Sequence, residues 1–274
     1  MKNTIFWILA LAITLAAAVY QRATGPTYPA RGEVTLGGAV YKYRLIRSHG
    51  GPLNARVMID VPDPEVSGVL IYKRYKAEEE WTEVPLRRGG NILQAELPHQ
   101  PPAGKLEYFL RLSRGEDVIT VPQNRDIVIR FKGAVPIWVL IPHVFFMFSA
   151  MLVSTRAGLE ALVKNGQLRH YVLWAAGLLF LGGMIMGPLV QKYAFGALWT
   201  GFPFGFDLTD NKTLIAMIGW VVAVFAVLKG KAARLWVVMA SILLLLIFSI
   251  PHSMIGSELD YSTGQVGTSS VNTE

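Results

Sequence analysis

Five stretches of the chain are apolar almost without interruption, at residues 5–20, 135–153, 171–190, 214–228 and 235–250. Each approaches the roughly 20 residues that a helix needs to cross about 30 Å of hydrocarbon, with Trp220 and its neighbours completing the short fourth run. The segment between the first and second has a different rhythm. Alternating or β-branched runs recur over 40–46, 55–61, 68–75, 81–86, 92–97, 106–112 and 118–121, and a further strand-like run, 126–131, leads into the second apolar stretch. Turn residues punctuate the series, as at Arg88-Gly89-Gly90-Asn91 and Pro101-Pro102-Ala103-Gly104.

About seven short strands in about a hundred residues predict an immunoglobulin-like sandwich. The expected fold is therefore a mixed integral membrane protein: an extracytoplasmic immunoglobulin-like β-sandwich, a four-helix transmembrane bundle, and one N-terminal anchor helix or signal peptide. Residues 1–21 form that anchor or signal, 28–132 the sandwich, and 135–261 the helical module with an external aromatic loop at 191–213. The polar tail, 262–274, is rich in Ser, Thr and Gly and reads as disordered. A run ending Ala16-Ala17-Ala18 fits either a small-residue cleavage site or an uncleaved anchor.

Charge orients these elements. Arg156, Lys164 and Arg169 fill the connection between the second and third runs, and Lys229, Lys231 and Arg234 the one between the fourth and fifth. Short basic loops face the cytoplasm, so the sandwich, the aromatic loop and the C-terminal tail are expected outside. These loops account for much of the formal charge of +7, and nucleic-acid binding is not implied. The chain has no cysteine, which excludes a disulfide framework, covalent haem attachment through Cys-x-x-Cys-His and an iron–sulfur cluster on its own thiolates.

The residues with chemical promise share the expected outer side. Pro142-His143 and Pro251-His252 each lie toward an outer helix end, and Trp199-Thr200-Gly201-Phe202-Pro203-Phe204-Gly205-Phe206-Asp207 lies between them. Two neutral imidazoles beside a wall of rings suit a flat iron porphyrin, held without covalent attachment as haem b. Lys192 and Lys212 are the nearby cations for its carboxylates. Each part also has a plainer reading. The rings fit an interfacial aromatic belt, a helix-end histidine fits an interfacial polar residue, and one acid caps the fourth span, Asp210 before Asp207, which is left to organise the loop. A zinc-like ion on His143, His252, Asp207, Glu258 and Asp260 is a further alternative, although no compact ligand spacing supports it. His49, His99 and His170 fall outside the ligand set, and no nucleophile–base set or phosphate loop stands out.

Two resemblances extend the reading. Leu70-Ile71-Tyr72-Lys73-Arg74-Tyr75, Trp81-Thr82-Glu83-Val84-Pro85 and the Pro101 to Tyr108 string resemble fibronectin type III-like domains of exported bacterial proteins, with Tyr108 either closing a tyrosine corner or filling the core as an ordinary ring. From 135 to 261, the order of histidine helix, aromatic loop and histidine helix resembles the C-terminal core of the haem-handling proteins of cytochrome c maturation. Leu140-Ile141-Pro142-His143-Val144 matches the first histidine helix, while Trp199, Phe204, Phe206 and Asp207 occupy positions like those of a tryptophan-rich loop in which phenylalanine replaces the later tryptophans. The resemblance implies a bacterial inner-membrane protein that holds or transfers haem, or electrons through it, at the extracytoplasmic face, in cytochrome assembly or respiration, with His143 and His252 as iron ligands and membrane-complex proteins as partners. The alternative is a non-catalytic accessory subunit whose sandwich docks a partner protein.

Overall fold

The computed structural model describes residues 2–163, 166–251 and 256–268, which fall into two compact units. One contains Thr27–Ala134 and Glu258–Gly267; the other contains Met1–Pro26 and Val135–Ser257.

The first unit is built from strands. A hairpin of β1 (Ala30–Leu36) and β2 (Ala39–Leu45) precedes two sheets. The larger sheet has the order β3 (Ser48–Gly50), β11 (Ile127–Lys132), β9 (Lys105–Arg114), β5 (Ser67–Arg74), β6 (Thr82–Pro85), with β10 (Asp117–Val121) also paired to β9. The smaller has the order β4 (Ala55–Asp60), β8 (Ile92–Leu97), β7 (Arg87–Gly89). Pairing is antiparallel throughout these sheets except between β3 and β11.

Strand alternation explains why the sheets share a core. Ala55, Val57 and Ile59 of β4 are buried between exposed neighbours, and Leu93, Ala95 and Leu97 of β8 are buried between exposed or half-buried ones. They meet Leu70 of β5, Leu106, Tyr108, Leu110 and Leu112 of β9, and Ile129 of β11 in one cluster. Each fully buried leucine contributes about 1.5–3 kcal/mol relative to an exposed one. Tyr108 also donates its hydroxyl to the Ile46 carbonyl at 2.8 Å. A tyrosine corner bonds a few residues upstream, whereas this bond ties β9 to the segment linking β2 and β3.

All eight expected strand runs are strands, with ends shifted by a residue or two. The additional β1 has a sequence signal that alternation alone overlooks: Gly37 and Gly38 both have positive φ, and Leu36 pairs with Ala39 across them, a two-residue turn that glycine makes without steric cost. The tail also differs from expectation. Instead of disorder from residue 262, β12 (Ser257–Leu259) and β13 (Val266–Thr268) form a two-stranded sheet. Asp260 nucleates its turn by accepting from Ser262 N and Oγ at 2.8 and 2.6 Å. Residues 258–267 belong to the strand unit, not to the helical module in which 258–261 were expected. Tyr261 receives the amide of Lys105 at 3.0 Å, and Lys105 pairs with Glu258.

The second unit is helical. Four helices are long and apolar enough to cross a membrane: Lys2–Thr24, Ile137–Ala161, Leu168–Phe195 and Leu208–Lys229; Ala233–Ser249 is shorter and also apolar. In chain order they are α1 (Lys2–Thr24), α2 (Ile137–Ala161), α3 (Leu168–Leu179) continuing through a π-helical segment (Phe180–Met186) into α4 (Gly187–Phe195), α5 (Leu208–Lys229) and α6 (Ala233–Ser249). Small residues let them approach closely, with Ala150, Ala157, Ala175, Ala216, Ala223 and Ala240 buried around Trp220. Their outward faces stay apolar, as with Ile8 and Leu15 on α1, Phe145 and Phe148 on α2, and Leu235 and Leu246 on α6. Such a surface suits lipid rather than water. The N-terminal helix is not a detached anchor, because it packs on α2 and α6 and buries Ala10, Thr14 and Ala17.

Arg156 corrects one part of the charge reading. Helix α2 runs past it, so it is not in a loop; it is 2 % exposed, with Nη1 donating to Glu160 at 2.6 Å and Nη2 to Asn3 at 2.8 Å. The rings of Tyr171 and Phe6 lie 4.5 and 5.2 Å from its guanidinium carbon. Buried charge demands such partners. Lys164 lies outside the described residues.

Candidate functional site

His143 sits in the second turn of α2, half-buried, where Pro136 at the N-cap sets the helix start. Its Nδ1 lies 2.9 Å from the carbonyl oxygen of Gly182. A carbonyl only accepts, so Nδ1 carries the hydrogen and Nε2 presents a lone pair. The π-helical register makes this contact: the amide of Gly187 reaches back five residues to the same oxygen. Gly182 also permits the approach, since a Cβ there would meet Met147 Sδ at 2.9 Å and the Met147 amide nitrogen at 3.0 Å. A glycine within the third apolar run thus helps to orient the imidazole.

The aromatic loop is shorter than expected, because α4 continues to Phe195 and α5 begins at Leu208. Its organiser is Asp210. One oxygen, Oδ2, accepts from Thr200 N at 2.6 Å, Gly201 N at 3.0 Å, Gln191 Nε2 at 3.0 Å and Thr200 Oγ1 at 3.4 Å. Asn211 adds a bond from Phe202 N at 2.6 Å. Asp207 is the N-cap of α5, accepting from Thr209 N at 2.8 Å and Asp210 N at 3.4 Å. The expected roles of the two acids are therefore exchanged. The helix starts immediately after Asp207, which leaves Asp210 in the first turn with its side chain turned back toward the loop. Gln191 and Thr200 escaped the sequence reading because nothing in their spacing announces a shared acceptor.

This scaffold displays rings outward. Phe204 and Phe206 are 82 % and 81 % exposed, and Phe202 is also exposed. Trp199 is half-buried and donates its indole N–H to the Phe202 carbonyl at 3.1 Å, so it offers a ring face rather than a free donor. Gly201, between them, is buried against Asp210 and Asn211.

His252 lies outside the described residues. Its flanks do not. The Ile250 carbonyl accepts from Lys212 Nζ at 2.7 Å and Gln21 Nε2 at 3.4 Å, while Ser257 donates its amide and hydroxyl to Asp207 Oδ2 at 3.1 and 3.3 Å. Both flanks are thus tied to the N-terminal end of α5, the end that carries the aromatic loop. Lys212 is 5 % exposed and committed to Ile250, whereas Lys192 is exposed in the last turn of α4, where a cation complements the helix dipole.

Other expected ligands have other partners. Glu258 pairs with Lys105 and Lys76, and Asp260 holds its own turn. Among the described residues no group of three or more His, Asp or Glu side chains is gathered as a metal site. His49 contacts the Leu53 carbonyl at 2.9 Å, and His170 lies against the Tyr171 ring. Comparison with protein-family models and with curated protein sequences finds no match for this chain.

Proposed function

We propose that this chain is a multi-pass protein of a bacterial inner membrane that holds haem at the extracytoplasmic face and passes on either the haem or electrons through it. The observation that carries the reading is the 2.9 Å contact between His143 Nδ1 and the Gly182 carbonyl oxygen. The Nδ1–H is spent on that carbonyl, which fixes the ring and leaves Nε2 as the ligating atom. Metal-ligating histidines are oriented in this way, by a backbone carbonyl or carboxylate on the other nitrogen. Haem, when bound, supplies reversible one-electron chemistry at iron. The chain would contribute His143 and His252 as ligands and the rings of Trp199, Phe204 and Phe206 as an apolar wall, with Asp207 joining the loop to the segment that follows His252.

Chain topology supports the sidedness. Residues 134 and 258 belong to the same strand unit, so the number of crossings between them is even. Helix α2, the continuous α3–α4 helix and α5 make three, and α6 is then the fourth. Its 17 residues span about 25 Å at the helical rise of about 1.5 Å, short of a full bilayer core but within reach of local thinning. Arg169, Lys229, Lys231 and Arg234 would then lie on the cytoplasmic side. Within that unit, the orders β4-β8-β7 and β3-β11-β9-β5-β6 follow the two sheets of an immunoglobulin-like sandwich, consistent with an exported domain.

Replacement of either histidine tests the reading. His143→Ala and His252→Ala should each convert a low-spin haem spectrum to a high-spin or weakly bound one, with partial recovery on adding imidazole, while His170→Ala should leave it unchanged. A low-spin spectrum retained in both ligand variants would reject the assignment.

A further inference from the structure

A second polar site lies at the other end of the helical unit. Where α1, α2 and α3 meet, a cleft of about 420 Å³ is lined by Lys2, Asn3, Arg156, Glu160, Gln167 and His170, with the rings of Phe6 and Tyr171 beside them. This is the size of a small-ligand pocket. Its floor is a built charge: Arg156 is 2 % exposed, spends Nη1 on Glu160 and Nη2 on Asn3, and leaves Nε without a hydrogen-bond partner. That N–H is closed off beneath the rings of Phe6, Trp7 and Tyr171, so the donors open to the cleft are those of its other lining residues.

The charge balance identifies the chemistry. Glu160 offsets Arg156, and its other oxygen receives the Gln167 amide at 3.2 Å. Lys2, which is exposed, is left as the excess positive charge of the lining, with the imidazole of His170 beside the Tyr171 ring as a further donor. One cation in excess, an imidazole and the side-chain amides of Asn3 and Gln167 suit a phosphodiester monoanion. The surroundings favour its being part of a lipid. One helical turn from Lys2, Ile5 is 49 % exposed, and one turn from His170, Trp174 is 64 % exposed. An acyl chain could lie along these side chains while the phosphate enters the cleft, as in basic pockets between transmembrane helices.

We propose that this cleft binds the phosphate of an anionic phospholipid. The proposal is independent of haem binding, because it uses none of the same residues. The test is native mass spectrometry of the full chain in detergent, mixed with equal amounts of dioleoyl phosphatidylglycerol and dioleoyl phosphatidylcholine. Wild type should retain the anionic lipid in preference by about fivefold or more, and a Lys2→Gln/His170→Gln double variant with an unchanged melting profile should lose that preference. Equal retention of the two lipids by wild type, or an undiminished preference in the variant, would overturn it. A parallel arm adds inorganic phosphate in excess. Persistence of the lipid adduct supports a lipid site, whereas its displacement would assign the cleft to a free anion and overturn the lipid assignment.

Discussion

The Nδ1 atom of His143 lies 2.9 Å from the carbonyl oxygen of Gly182, and the same oxygen receives the Gly187 amide across a π-helical turn. The two residues are 39 positions apart in sequence, so the imidazole of one helix is aimed by a backbone irregularity in another.

Gly182→Ala should break this relationship. Its new methyl would stand 3.0 Å from both the Met147 amide nitrogen and Phe146 Cβ, neither of which can swing aside as a flexible side-chain end can. Overpacking of this kind costs about 1–3 kcal/mol. The expected result is a lower melting temperature in detergent and, in histidine-labelled protein, loss of the fixed Nδ1–H tautomer by nitrogen NMR. Unchanged imidazole signals would show that the glycine is not what admits the contact.

Much of the fold is legible in the sequence because burial has a period. Residues 55–61 and 106–112 place an apolar side chain at every second position and become β4 and β9; the long apolar runs become helices. The site is less legible. A π turn leaves no compositional mark, since only the hydrogen-bond register differs, so nothing in Phe180–Met186 announces that the Gly182 carbonyl is turned toward His143. Asp207 and Asp210 are three residues apart, and either could cap a helix; only the position of the first helical residue decides between them. Arg156 misleads for a similar reason, because the apolar run weakens before the helix does.

Asp210 variants should separate loop order from helix capping. In Asp210→Ala, the amides of Thr200 and Gly201 and the Gln191 side chain lose their common acceptor, at about 1–3 kcal/mol for each group left buried without a partner. Limited proteolysis should then cut within residues 196–207 more rapidly than in wild type. Asp210→Asn keeps an acceptor oxygen and should fall between the two. Equal cleavage rates in all three proteins would contradict the role.

Alkaline pH should release the C-terminal hairpin. Burial, the largest cause, pushes the Tyr261 hydroxyl up from 10.0 to about 12. The folded form therefore holds its proton more tightly than the unfolded one, so this contribution is complete below pH 10 and is lost as pH rises toward 12. A tyrosinate absorbance titration should show a late-titrating group, accompanied by exposure of 258–267 to protease. Tyr261→Phe should remove that group. Its persistence in the variant would contradict the assignment.

Reporter fusions test the crossing number. Alkaline phosphatase joined after Thr268 and inserted near Pro101 should both be active, and one inserted between residues 229 and 234 should not. Opposite signals from the first two would mean that α6 does not cross.

The central claim is that this chain binds haem through His143, and the most direct measurement is the absorption spectrum of the detergent-purified full chain titrated with haem, oxidised and reduced. The expected result is saturation at one haem per chain with a low-spin bis-imidazole spectrum in both states. Haem that shows no saturable Soret change, or that binds with a spectrum indistinguishable from haem in detergent alone, would contradict it.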